Sequence, residues 1–371
     1  MYPTAAQDEL FYQLALSFVP GVGPVIGRAL LERYGSATAI FAASSKDLMA
    51  TDVITDVRAR AFRSDELLKK AAAELEHVEK NGLEVLCIHD RYPKRLANCA
   101  DAPTVLYGKG NLMYEAQKVV AIVGTRKNTD YGQKLTEDLI EGLAGQEGLM
   151  VISGLALGID AIAHRKCVQM GIPTIGVLGH GLDRIYPPGN RQLAMQMVEQ
   201  GGGILSEFTW GTLPDKGNFP MRNRVVAGMA DVTVVVESQE TGGALITAQL
   251  AAGYNREVAA YPGRVTDSRS AGCNNLIRNN MAAMITCADD LIQLMSWDKA
   301  KKKRAVQPQL FLHMSPDEQK IVDLLSSRDS VHADEILYHS GLAYPTLAAT
   351  LLQLEMQGLI KTLPGKYYRM N

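Results

Sequence analysis

The sequence predicts an α/β protein: a parallel sheet with helices on both faces, set between an all-helical amino-terminal module and a winged-helix tail. Three observations predict it. Short apolar runs alternate with helical patterns through the middle of the chain. A breaker-poor stretch rich in Ala, Leu, Glu and Arg precedes them. Three short helical patterns and a hairpin pattern follow.

Residues 5 to about 75 read as helical, interrupted at Pro20-Gly21-Val22-Gly23-Pro24. That turn resembles the glycine turn of a helix-hairpin-helix, which can aim backbone N–H groups at a phosphate; a plain interhelical turn is the other reading. Ser36 can cap a following helix pair. Strand candidates are 83–88, 119–123, 149–153, 173–178, 203–206, 232–236 and 257–260, and helical patterns at 131–143, 158–170, 190–200, 221–229 and 243–254 separate most of them. In such a sheet, ligands bind beyond the carboxyl ends of the strands. Lys299-Ala300-Lys301-Lys302-Lys303-Arg304 reads as a solvated linker or an auxiliary phosphate-contacting arm. Helices are expected from Pro316, over 332–339 and over 344–357, with a hairpin about Pro364-Gly365. The expected divisions are 1–75 (helical), 76–297 (sheet), 298–307 (basic linker) and 308–371 (winged helix).

Of 371 residues, 47% are hydrophobic and 21% charged, which excludes a disordered chain. A formal net charge of -2 excludes a wholly basic nucleic-acid protein but permits a local basic patch. No apolar run reaches the length of a membrane span, and the first residues carry no secretory pattern. Five scattered cysteines without a CxxC pair fit reduced thiols in a cytoplasm.

No phosphate-binding GxxxxGK[ST] loop, HExxH helix, GxSxG elbow or cysteine–histidine metal cluster is present, so no catalytic residue, metal ligand or cofactor is expected. His164 and His180 read as core or capping residues. The informative loops are rich in donors instead. Gly124-Thr125-Arg126-Lys127 follows a strand and leads toward a helix; its amides and paired guanidinium N–H groups suit a phosphate. Ser153-Gly154 ends the next strand, with Gly158 and Asp160 at a helix start. Phe219 precedes Arg222-Asn223-Arg224, a ring for stacking beside arginine forks for phosphates. Burial of Phe219, and pairing of these arginines with Glu207 or Glu237, is the structural alternative. Thr241-Gly242-Gly243 opens a helix and can form an anion-attracting nest. Arg264, Arg269 and Arg278 follow in a later loop. Clear general bases with a nucleophile partner are missing, so the balance favours binding over catalysis.

The ordered loops resemble those of the DNA-processing protein A family, also called DprA or Smf. The resemblance rests on 120–126, Ser153 through His164, 179–183 with Tyr186-Pro187, 206–208, 219–224 and 237–247. It implies an extended Rossmann-like central domain, with a SAM or helix-hairpin-helix-like module before it, that dimerises and needs no cofactor. It further implies a non-enzymatic protein that binds incoming single-stranded DNA during natural transformation, protects it and loads the RecA recombinase, displacing or bypassing single-strand-binding protein. By resemblance, the backbone contacts fall to Arg126, Arg222, Asn223, Arg224, Thr241, Gly242 and Gly243, with Phe219 stacking and Lys127 a further candidate; the loops themselves add Gly124, Thr125, Ser153 and Gly154 as phosphate-binding candidates. This chain departs from the family at Leu157, where a basic residue is common.

Two other readings stay open. A Rossmann-like nucleotide-processing hydrolase would use Glu207 or Glu237 as acid or nucleophile. A duplex-DNA regulator would use the winged helix. Against the latter, 308–371 carries seven acidic and five basic residues, and the third helix of the tail is almost uncharged. A groove-reading helix needs Arg, Lys or Asn. The tail reads as a partner-binding or regulatory module.

Overall fold

Capping chemistry divides the helical region as the residues dictate. The computed structural model describes residues 5–112, 115–297, 314–326, 328, 330–363 and 366–370. The basic run at 299–304 and the Pro364-Gly365 turn lie outside the described residues. Helices α1 (Ala5–Ser17), α2 (Pro24–Tyr34), α3 (Ala37–Ala42), α4 (Ser45–Met49), α5 (Asp56–Ala61) and α6 (Asp65–Asn81) open the chain. Ser36, Ser44 and Thr55 accept amide hydrogen bonds as N-caps of α3, α4 and α5. Helix α6 runs past residue 75 and stops at Gly82, whose φ of 59° closes the helix in the left-handed region.

Then come β1 (Glu84–Cys87), α7 (Lys94–Ala97), β2 (Val105–Gly110), β3 (Lys118–Val123), α8 (Asp130–Leu143), β4 (Leu149–Ser153), α9 (Ile159–Met170), β5 (Thr174–Leu178), α10 (Arg191–Glu199), β6 (Gly203–Ser206), α11 (Asn218–Met229), β7 (Val232–Val235), α12 (Gly243–Gly253), β8 (Glu257–Ala260), α13 (Ala271–Arg278), β9 (Ala283–Met284) and α14 (Ala288–Leu294). These strands form one sheet in the order β1-β2-β6-β5-β4-β3-β7-β8-β9. The sheet is parallel from β6 to β9, but β2 pairs antiparallel with β1 and β6. The parallel expectation is corrected at this edge. Only three apolar residues of β2 precede Gly108-Lys109-Gly110, so its signal is short.

Alternation along β3 makes two cores. Val119, Ala121 and Val123 join a cluster that continues into Leu14, Leu30 and Leu106, fusing the helical module to one face. Val120 and Ile122 join Leu139, Ile140 and Leu291 on the other face. The chain builds β3 to β6 outward on one side of β3, then returns to place β7 on its other side. The sheet's topological switch point is therefore between β3 and β7, where the crevice of an open α/β sheet lies.

The chain divides into two units, Met1–Asp298 and Lys299–Asn371. The second contains α15 (Pro316–Ser326), β10 (Val331–His332), α16 (Ala333–Ser340), α17 (Tyr344–Met356), β11 (Ile360–Leu363) and β12 (Tyr367–Met370), with sheet order β10-β12-β11. Ile321, Leu325, Ile336, Leu351 and Leu354 give it a core of its own. This is a winged helix.

Candidate single-strand cleft

A cleft of about 800 Å³ opens at the switch point, lined by the β3–α8 turn, the start of α9, the approach to α11 and the start of α12. Its construction depends on close backbone approach. Ile159 donates its amide to the Thr125 carbonyl at 3.2 Å, docking the first turn on α9. A side chain at Gly158, where φ is 78°, would run into that carbonyl. Thr129 caps α8 and donates its own N–H and hydroxyl to Glu237, at 2.9 and 2.8 Å. Arg269 donates to the Lys127 carbonyl at 3.1 Å and fixes the turn from outside.

The cleft wall carries Arg126, Lys127, Lys216, Arg222 and Arg269 against one carboxylate, Asp160. Such an excess of cations in a concave site concentrates positive potential although the whole chain is slightly acidic. Arg126 and Lys127 are exposed. The Arg126 guanidinium lies 5.3 Å from the centroid of the Phe219 ring, and Tyr186 tilts against the same ring at 6.1 Å. An exposed cation over a half-buried aromatic face suits a polymer that alternates phosphates with flat bases. Thr241, Gly242 and Gly243 are exposed at the start of α12, where backbone N–H groups lack helical partners. Asn223 reaches the Gly243 carbonyl at 3.4 Å and ties α11 to that loop.

Four of the expected contact residues make bonds within the protein. Ser153 is wholly buried and donates to the Ile122 carbonyl at 2.6 Å, so it stitches β4 to β3. Arg224 does not line the cleft: its side chain is buried in an ion pair with Glu207 and also donates to the Asp101 carbonyl. Arg222 lines the cleft floor but is only 5% exposed, donates to the Val177 carbonyl and fills the space left by the missing Cβ of Gly154. Burial pushes its guanidinium down to about 10, while Asp160 opposes the shift. Asp160 in turn accepts the amides of Gly154 and Ala156 at 3.1 and 3.3 Å. Burial raises its carboxyl and Arg222 draws it back. The amide of Gly154 is thus occupied, and its contribution is room.

Lys216 lines the cleft and was invisible to motif reading, because one lysine in an Asp-Lys-Gly turn carries no pattern. Its only signal is its place three residues before Phe219. Leu157 is exposed, and the cleft's lining does not include it.

The two carboxylates of the hydrolase reading are committed elsewhere. Glu237 is buried and holds Thr129; Glu207 is buried against Arg224; neither lines the cleft. His164 is buried on Thr174 at 2.7 Å, and burial pulls it down to about 3. His180 is buried beside the Gly181 carbonyl. Among the described residues, no group of three or more His, Cys, Asp or Glu is placed to hold a metal ion, and no helix is long and apolar enough to cross a membrane.

The profile of the family described as DNA recombination-mediator protein A matches residues 84–296, and that of the DprA winged helix domain matches 301–366. Protein Smf of Synechocystis sp. is 33% identical over 405 residues, spanning 98% of this chain and 99% of that protein. The DNA processing protein DprA of Streptococcus pneumoniae is 39% identical over 205 residues, 55% of this chain and 71% of that one. The X-ray structure of the S. pneumoniae protein superposes with a TM-score of 0.65 at 31% identity, covering 79% of this chain and 98% of that one. DNA processing protein A from Helicobacter pylori, whose structure addresses a unique single-stranded DNA binding mode, superposes with a TM-score of 0.52 at 32% identity, covering 58% and 96%. From the sheet's switch point to the wing, this chain belongs to the DprA/Smf family of DNA-processing proteins.

Proposed function

We propose that this chain is a non-enzymatic single-stranded-DNA-binding protein of transformation and recombination, which protects incoming DNA and loads the RecA recombinase onto it. The observation that carries the reading is the Arg126–Phe219 pair at the mouth of a cationic cleft on the sheet's switch point. Arg126, Lys127 and Lys216 meet phosphates, Thr125 and Thr241-Gly242-Gly243 add hydroxyl and amide donors, and Phe219 stacks on a base. Arg222, beneath them, supplies charge from the floor. No cofactor is needed for this chemistry. The recombinase and single-strand-binding protein are the partners that such a role implies. A homodimer would join two clefts into one longer track and raise avidity. The cytoplasm is the compartment where this role is exercised, and buried thiols such as Cys99, Cys167 and Cys273 suit it.

A titration of labelled oligonucleotides, single-stranded against duplex, over 50 to 200 mM salt tests the reading. Tight, salt-sensitive preference for the single strand is expected, and a recombinase-loading assay then follows. Folded protein that binds neither form would overturn it, and a screen of nucleoside monophosphates would then test the hydrolase reading.

A further inference from the structure

The segment between β6 and α11, residues 207–217, connects the helical module to the cleft. At its near end, the Trp210 amide donates to Glu74 of α6 at 2.9 Å. The His77 ring of the same helix lies 5.5 Å from the Trp210 ring, with 14° between their planes. Asp183 accepts the Gly211 amide at 3.0 Å, and the Thr212 carbonyl accepts the Gly181 amide at 3.0 Å. At its far end, Asp215 closes a turn on the amides of Gly217 and Asn218 at 2.8 and 3.1 Å. That turn delivers Lys216 and, after it, Phe219 to the cleft wall.

Glu74 is the informative residue. It is 5% exposed, and burial raises its carboxyl against the pull of the Trp210 amide. Burying a carboxylate costs free energy, and here it fastens an amide of a loop with no regular structure. The arrangement makes sense if the loop's position matters. A loop fixed in advance loses less freedom when it meets a ligand, so the ligand binds more tightly.

We propose that Trp210, held by Glu74 and His77, is a positioning residue for the strand-binding cleft. Through it the helical module sets the placement of Lys216 and Phe219 and tunes affinity without touching the strand. The proposal rests on the strand-binding reading above.

The chain has two tryptophans, Trp210 and Trp297. In a full-length Trp297→Phe background, Trp210 emission reports on the segment directly. Adding a 20-nucleotide oligothymidylate should leave that emission nearly unchanged, because the segment is held in place before the strand arrives. Trp210→Ala should weaken oligonucleotide binding three- to tenfold, and the loss should vanish when Lys216→Ala and Phe219→Ala are already present. Glu74→Ala should weaken binding similarly, while Glu74→Gln, which keeps an oxygen for the Trp210 amide, should restore it; this pair serves if Trp210→Ala does not fold. The same fold-loss with and without the Lys216 and Phe219 changes would overturn the coupling, and a large change of Trp210 emission on strand binding would overturn a segment fixed in advance. A wild-type chain that binds no oligonucleotide would overturn the strand-binding reading and this proposal together.

Discussion

Two regions of this molecule have architectures used for nucleic acids, and their chemistry is opposite. The cleft between β3 and β7 gathers five cations around two aromatic rings, Tyr186 and Phe219, and one buried carboxylate. Helix α17, which a DNA-reading winged helix would lay in a major groove, carries one charge, Glu355, and exposes Tyr344, Leu352 and Met356. A fold fixes where side chains can be placed, and the side chains decide what is bound. By that measure the side chains of the cleft suit the phosphates and bases proposed for it, and those of α17 suit an apolar surface better than a DNA groove. The contrast can be attacked from either side.

The largest effect should come from removing exposed cleft charge. Arg126→Ala combined with Lys216→Ala removes two proposed charge-assisted contacts, each worth roughly 1.5–3 kcal/mol. Affinity for single-stranded DNA should fall on the order of 100-fold or more at low salt. The slope of log affinity against log salt should shrink by about 1.4, near 0.7 per phosphate contact on a single strand. An unchanged slope would place both cations outside the strand's path.

Arg224 sharpens the distinction between cations that bind and cations that fold. Its partner Glu207 is buried, and burial pushes the Glu207 carboxyl up to about 7 from 4.5. The sign follows: a raised carboxyl contributes stability when protonated, fully below about pH 4.5 and lost as pH rises through about 7. Above that pH the ionised Glu207 depends on Arg224. Arg224→Ala should therefore destabilise the fold by about 3 kcal/mol at pH 8, and by less at pH 5. Glu207→Gln should flatten the profile of stability against pH across that interval. Thermal unfolding at both pH values checks this, and the salt slope of strand binding should not move.

Much of this was legible in the chain. The loops that line the cleft announce themselves as glycine and hydroxyl residues at strand ends, and the alternation of β3 announces two buried faces. The roles of Ser153 and Arg222 did not announce themselves, and the pairing of Arg224 with Glu207 stood in the chain only as one of two alternatives. An arginine in a loop motif looks the same whether it faces solvent or a buried carboxylate; only the packing of α11 against β5 and the segment about Asp101 separates the cases. Lys216 escaped because its relevance comes from a turn closed by Asp215, and β2 escaped because only three apolar residues precede its Gly108-Lys109-Gly110.

A smaller effect should isolate stacking from charge. Phe219→Ala removes a ring and the face on which Arg126 rests. Binding should weaken by roughly 1–3 kcal/mol, about tenfold, with little change in salt slope, because no cation is lost. A drop in slope equal to that of Arg126→Ala would mean that the ring acts mainly by holding the guanidinium.

The smallest effect is expected at the other region. The described residues of the winged helix have their own core, and α17 offers the strand one carboxylate and an apolar face. Removing 308–371 should therefore leave single-strand affinity within a few-fold of the full chain, with the salt slope intact. A tenfold or larger loss in a filter-binding assay would sink the comparison, because the tail would then share the work of the cleft. The two outcomes differ in mechanism as well as in size. A tail that contacts phosphates lowers affinity and slope together when removed, whereas a tail that docks a protein leaves both unchanged and is felt only when that partner is present.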